Sequence, residues 1–286
     1  MPETLTVTRF APSPTGRLHL GHAYSAAIAH ARARSEVGRF LLRIEDIDQT
    51  RSRPEFVAGI DEDLRWLGLE WDGEPVIQSR RGPYHAEAIE RLRAYCLAYP
   101  CFCTRADIAA ALEAPHGPSG AQYPGTCRGL ADDPGRRAAE PHCWRLDSGK
   151  ALDRCGLAGW TEADGTQFSS AHADFDDIIL ARKDAPAAYH LACVLDDAAS
   201  GVTLVTRGAD LRTSTPVQRL LQRLLGLPEP AYCHHRLVAL ADGRRLAKRD
   251  QAPTLAALRS GGMDGKALAK GLVAGQLPLG FAFIDA

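Results

Sequence analysis

Two histidines three residues apart, His19 and His22, close the string Pro12-Ser13-Pro14-Thr15-Gly16-Arg17-Leu18-His19-Leu20-Gly21-His22. Imidazoles can donate hydrogen bonds to phosphate oxygens, and Gly21 between them removes a side chain where a ligand would approach the backbone. The alanine-rich stretch that follows reads as a helix, so the pair sits at a helix start, with free N–H groups and a partial positive charge. The chemistry this suits is handling of ATP phosphates and of the charge that develops at the α-phosphorus. A second basic element lies far downstream, at Arg244-Arg245-Leu246-Ala247-Lys248-Arg249. Three thiols, Cys101, Cys103 and Cys127, lie close in sequence in a loop-rich region, a pattern that suits Zn²⁺ holding together a segment without its own core. From chemistry alone His116, His142 and Cys143 are open as a fourth ligand, tyrosine being an uncommon one. The other cysteines, Cys96, Cys155, Cys193 and Cys233, read as core or incidental.

The elements that must position these residues follow an alternating rhythm. Leu5 to Phe10 reads as a buried strand, and two prolines keep the next segment out of helix. A helix is expected from Leu20 to Val37 and a strand from Phe40 to Ile44. Further helices are expected from Pro54 to Leu67 and from Pro83 to about Ala98. Strand-like segments return at Asp177–Arg182 and Gly201–Arg207. Thr215-Pro216 then caps a helix whose inward face is Val217, Leu220, Leu221, Leu224 and Leu225, and Arg236–Leu240 is a last strand. The βαβα pattern argues for an α/β fold with a parallel sheet. The expected organisation is residues 1–100 as the first half of a Rossmann-like domain, 101–143 as an inserted subdomain, 144–250 as the second half, and 251–286 as a short helical segment.

Composition sets the class. The 286 residues are 45% hydrophobic and 24% charged, with no apolar run long enough for a membrane span and no apolar leader. The net charge of −1, from 34 basic and 35 acidic residues, gives no global attraction to nucleic acid, so any RNA contact needs a local basic groove. Eight cysteines scattered over a long chain fit thiols or a metal site in the cytoplasm better than a secreted disulfide framework. A monomer is the expected working unit.

The wider strings carry a resemblance. Thr8 to His22 resembles the N-terminal signature of class I glutamyl-tRNA synthetases. Leu42-Arg43-Ile44-Glu45-Asp46-Ile47-Asp48 and Trp66-Leu67-Gly68-Leu69-Glu70-Trp71-Asp72 are similar to later blocks, as are Asp196-Asp197, Gly201-Val202-Thr203 and Val205 to Leu211, all in the family's order. The resemblance implies a class I catalytic domain that activates L-glutamate with ATP and Mg²⁺. It implies that His19, Gly21, His22 and Lys248 serve ATP, with His19, His22 and Lys248 catalytic. Lys248 matches the second lysine of the family's mobile loop, and Ala247 replaces its serine. It implies that Arg9 and Arg207 meet the glutamate carboxylates, Arg9 closest to the side-chain one. Phe10, Ala11, Pro12 and Ser13 would line the pocket, Glu45 would hold the ammonium, and Tyr189 would give a hydroxyl and a ring wall.

Cys101-x-Cys103…Tyr123-x-x-x-Cys127 resembles the zinc site of short paralogues in the same family, which would make Tyr123 a ligand. The chain ends soon after the Lys248 loop, where the full-length family continues into an anticodon-binding region. That resembles the glutamyl-queuosine tRNA(Asp) synthetase family, which implies tRNA(Asp) carrying queuosine as partner. A truncated enzyme charging a tRNA 3′ end and a non-catalytic RNA-binding paralogue are the alternatives.

Overall fold

The computed structural model describes residues 5–35, 37–113, 123–170, 175–246 and 253–285. The chain runs β1 (Val7–Phe10), α1 (Leu20–Ser35), β2 (Arg39–Ile44), α2 (Pro54–Leu67), β3 (Val76–Ile77), α3 (Gly82–Ala94) and β4 (Ala98–Cys101). The middle holds α4 (Arg105–Glu113), α5 (Pro134–Ala139), β5 (Cys143–Leu146), α6 (Ser148–Cys155), β6 (Trp160–Thr161), β7 (Gln167–Phe168) and β8 (Ile179–Ala181). Then come α7 (Tyr189–Ala199), β9 (Leu204–Gly208), α8 (Thr215–Leu225), β10 (Ala231–His235), β11 (Leu237–Leu240), α9 (Leu255–Ser260), α10 (Gly265–Val273) and β12 (Phe281–Ile284).

Strands β1, β2 and β3 form one parallel sheet, and β9 with β10 another. The two meet beside β1, where the Thr203 N–H donates to the Val7 carbonyl (3.0 Å) and the Val7 N–H to the Thr203 hydroxyl (2.9 Å). In an open α/β sheet the crevice outside the carboxyl ends of the strands is where ligands bind. Here those ends are Phe10 and Gly208.

One core packs α1, α2, α9 and α10 against β1 and β2, with Leu20, Phe40, Ile60, Leu64, Leu255 and Leu272 fully or nearly fully enclosed. A second packs α3, α7 and α8 around Leu92, Leu146, Leu180, Leu191 and Leu221. Helix α2 shows how local signals end an element. Pro54 opens it, and Gly68 closes it in the left-handed region at φ 71°.

Several boundaries differ from expectation for identifiable reasons. The helix from Pro83 stops at Ala94, because Cys96 takes φ +56° and the Leu97 N–H turns back to the Leu92 carbonyl (2.9 Å), so 98–101 is a strand. Thr215 does not cap its helix. It is the first helical residue and is buried, and its hydroxyl accepts from Arg207 (2.8 Å). Val217 is only partly buried, while Gln218, Arg219 and Gln222 are buried beside the leucines. The segment after residue 250 is not only helical. Its strand β12 pairs antiparallel with β11, and Leu255, Leu268 and Leu272 join the first core. The insert is stitched at its root by β4, β5 and β8, with Cys101 opposite Cys143 in the register.

Candidate active site and cysteine cluster

A cavity of about 440 Å³ opens where β1 and β9 end. It is lined by Arg9, Phe10, Ala11, Pro12, Ser13, His19, Gly21, His22, Glu45, Tyr189 and Arg207, so eleven expected site residues share one space. Arg245 and Leu246 also line it, which brings the described start of the basic loop to the cavity. Lys248 itself lies outside the described residues, as does His116.

The charged floor is built from residues far apart in sequence. Asp197 on α7 accepts from Arg9 Nε (2.9 Å) and Nη2 (3.3 Å) and from Arg43 Nη1 (2.5 Å). Burial alone would push the Asp197 carboxyl up. Arg43 and Arg9 outweigh it and hold the group well below the usual carboxylate range. Arg43 also donates twice to Glu45 Oε1, at 2.9 and 3.3 Å. Both bonds fall on one oxygen, Oε1. Burial raises the Glu45 carboxyl, and Arg43 opposes that shift. Cys193 is not incidental: it lines the cavity, with its sulfur 3.6 Å from Arg43 Nη2 and 3.7 Å from Asp197 Oδ2, and burial pushes its thiol up to about 12. It stays a neutral thiol there.

Arg207 is fixed by three acceptors. Its Nε donates to His234 Nε2 (3.1 Å), Nη1 to Gln218 Oε1 (2.6 Å) and Nη2 to Thr215 Oγ1 (2.8 Å). The second hydrogen of each terminal nitrogen has no partner among the described residues. Arg9 and Arg43 meet Asp197 and Glu45 at the floor, and the wall adds Arg207, Arg236 and Arg245 against Asp210, an excess of cations that an anionic ligand would offset. Tyr189, the first residue of α7, is open to the cavity but recessed within it, and burial raises its hydroxyl so that it remains a donor.

The histidine pair is organised by its own backbone. The His19 N–H donates to His22 Nδ1 (3.1 Å), and the Gly21 N–H donates to His19 Nδ1 (3.2 Å). In neutral rings this places both hydrogens on Nε2, as donors. The rings lie 3.8 Å apart. Two of the N–H groups expected to meet phosphate are therefore spent on setting imidazole tautomers. Gly21 is needed mainly for this: a Cβ there would lie 3.1 Å from His19 Cε1 and 3.2 Å from Nδ1. The motif is tied down by the Leu255 N–H to the Leu18 carbonyl (2.9 Å) and a bridge between His19 and Thr254.

Sequence reasoning missed Arg43, Asp197, His234 and Gln218. A usable signal existed for Arg43: a cation inside the apolar strand Phe40–Ile44 must find a buried partner.

In the insert, the sulfurs of Cys101, Cys103 and Cys127 lie within 4.8 Å of one another, with Cys103 and Cys127 at 3.6 Å. The Tyr123 hydroxyl is 3.3 Å from Cys101 and 3.7 Å from Cys103. Ligands about 2.3 Å from a tetrahedral Zn²⁺ stand roughly 3.8 Å apart, so three thiols and the phenol fit such an ion. Hydrogen bonding to Cys143, against burial, pulls the Cys101 thiol down to about 4, the form a metal binds. Burial raises Cys103 to about 11. Cys143 stands outside the cluster as the Cys101 partner. His142 is also outside it, its Nδ1 3.2 Å from the Glu140 carbonyl and its ring between Phe102 and Trp144. Tyr123 is held by Asp176, which accepts from its N–H (3.1 Å), and by Arg145 over its ring (3.8 Å).

Comparison with known proteins supports the class this geometry suggests. The description "tRNA synthetases class I (E and Q), catalytic domain" matches residues 6–274. The chain is 47% identical over 268 residues to Glutamyl-Q tRNA(Asp) synthetase of Rhodobacter capsulatus, covering 90% of this chain and 95% of that protein. It is 46% identical to the protein of the same name from Symbiobacterium thermophilum, covering 89% and 81%. The crystal structure of glutamate-tRNA synthetase from Elizabethkingia anophelis superposes with a TM-score of 0.78 at 25% identity, over 94% of this chain. The chain spans 61% of that longer protein. The chain belongs to the class I tRNA synthetases for Glu and Gln, on the branch of the Glutamyl-Q tRNA(Asp) synthetases, and is a ligase. Among the described residues no helix is long and apolar enough to cross a membrane.

Proposed function

We propose that the protein activates L-glutamate with ATP and transfers it to the queuosine base at the wobble position of tRNA(Asp), in the cytoplasm. The observation that carries the first step is one cavity lined by Arg9, Arg207, Glu45 and the His19–His22 helix start. Arg9 and Arg207 hold the carboxylates of glutamate, Glu45 the ammonium, and Tyr189 closes the wall. An oxygen of the α-carboxylate attacks the α-phosphorus of ATP, and the bond to pyrophosphate breaks. The Nε2 hydrogens of His19 and His22 stabilise the developing charge, with Lys248 as the second cation and Mg²⁺ accompanying the phosphates.

The relatives' names support the second step: a queuosine hydroxyl attacks the carbonyl carbon and AMP leaves. An anticodon loop can splay a base into such a cavity. Cys101, Cys103, Cys127 and Tyr123 hold a Zn²⁺ that fixes the fold of the insert, with no part in the reaction.

The test uses radiolabelled glutamate, ATP and tRNA with or without queuosine, the 3′ ends blocked by replacing the terminal adenosine with its 2′,3′-dideoxy form, which leaves the queuosine hydroxyls intact. Label on blocked, queuosine-containing tRNA(Asp), mapped to the wobble base by mass spectrometry, is the expected result. Label that requires an intact 3′ ribose would overturn the transfer step and leave a 3′-charging enzyme.

A further inference from the structure

We propose that Glu162 and His234 form a positioning pair that sets the guanidinium of Arg207 for a glutamate carboxylate; this rests on the glutamate-activating reading above. Neither residue lines the cavity, and neither stands out in the sequence. Glu162 follows the two-residue strand β6, in a hairpin with β7, and a bridge with Tyr232 and the bond from the Ala163 N–H to the Tyr232 carbonyl (2.6 Å) hold the hairpin against β10. Stacking of Trp160 on Phe168, with ring centres 5.1 Å apart, and packing on Val202, Val205 and Tyr232 give the hairpin its own small core.

The Glu162 carboxylate accepts three hydrogen bonds. They come from Trp160 Nε1 (3.0 Å), the His234 backbone N–H (3.1 Å) and His234 Nδ1 (2.6 Å). The third decides the chemistry. With its hydrogen on Nδ1, the imidazole presents a lone pair at Nε2, and that atom accepts from Arg207 Nε (3.1 Å). The other tautomer would set two donors against each other. Tyr232 stacks on His234 with an interplanar angle of 1°, so the ring cannot tilt away without breaking that contact. Gln218 shows that the arrangement is built around Arg207: its amide oxygen serves Nη1 while its buried Nε2 is left without a partner among the described residues. A planar donor fork recognises a carboxylate only when its plane is fixed, so this pair acts on amino-acid affinity rather than on phosphate chemistry.

The experiment compares His234→Asn, His234→Gln and Glu162→Gln with unaltered protein in glutamate-dependent ATP–pyrophosphate exchange, with tRNA present, reading KM for glutamate, KM for ATP and kcat. Asn can still donate to Glu162 but falls short of Arg207, whereas Gln can place an oxygen near the Nε2 position. His234→Asn is expected to raise the glutamate KM about tenfold, with ATP KM and kcat within about twofold, and His234→Gln to restore most of the loss. Glu162→Gln, which keeps one acceptor, is expected to raise the same KM about threefold. A glutamate KM unchanged in His234→Asn, or equal losses in both KM values and kcat with no rescue by Gln, would overturn the positioning role while leaving the activation reading in place. Absence of any glutamate-dependent exchange in the unaltered protein would instead overturn the reading beneath it, and the inference with it.

Discussion

The arginine pocket and the cysteine cluster are both convergences of polar side chains, yet they are held in opposite ways. The pocket draws Arg9, Arg43, Asp197 and Arg207 from separate elements; Arg9 and Arg43 are answered by Asp197 and Glu45, and Arg207 by three uncharged acceptors. Its geometry is complete in the protein alone. The cluster draws Cys101, Cys103, Tyr123 and Cys127 from one short stretch, with the thiols against the Tyr123 hydroxyl and one another. Its spacing is one that a metal ion could bridge. With the proposed zinc, the difference teaches where each region's stability resides: in long-range ion pairs for the first, and in metal binding for the second.

Breaking the pocket should have the largest effect. Asp197→Ala leaves Arg9 and Arg43 buried against each other, and urea unfolding should show a loss of about 3–5 kcal/mol. The pH dependence should follow. The folded carboxyl titrates below its unfolded value, so its contribution is full above about pH 4 and is lost as pH falls below that. The variant should lose that part of the acid slope. A variant as stable as the parent would remove the distinction between the two regions.

Stripping the cluster should be more local. Chelation, or Cys127→Ala, should abolish stoichiometric zinc by elemental analysis and expose the segment between Cys101 and Cys143 to proteolysis. The glutamate KM should stay within about threefold, since no ligand of the cluster lines the cavity. Fully folded, protease-resistant protein without metal would show that the thiols are ordinary core residues.

The smallest effect on stability should come from Gly21→Ala. The new Cβ presses on the His19 ring and breaks the bond that sets its tautomer, so exchange should fall about tenfold while unfolding shifts by no more than about 1 kcal/mol. Unchanged exchange would mean that the His19 orientation is irrelevant.

Much of the first half was legible in the sequence because its signals are local. Pro54 and Gly68 bound α2, and the apolar run Phe40–Ile44 marks β2. The strings around His19, Glu45 and Arg207 also named residues that share one cavity. What stayed hidden depends on pairing across the fold. Asp197 becomes a partner only when the fold brings α7 to Arg9 on β1 and Arg43 on β2, while its neighbour Asp196 turns to Gln78, Arg81 and His85 instead. The strand β10 and the two-residue strands of the Glu162 hairpin are too short or too irregular to leave a periodic trace. The spacing of the two histidines suggests phosphate donors, and both line the cavity, but nothing in that spacing reveals that the backbone amides face the rings.

The central claim is that a cavity lined by more arginines than carboxylates selects an amino acid carrying two carboxylates and joins it to AMP. ATP–pyrophosphate exchange, run with glutamate and with glutamine, with tRNA present and absent, tests this most directly. The account predicts exchange with glutamate and at least tenfold less with glutamine, because an amide cannot replace the charge-assisted bonds to arginine, worth about 1–3 kcal/mol. Equal exchange with both amino acids, or none with glutamate under either condition, would contradict it.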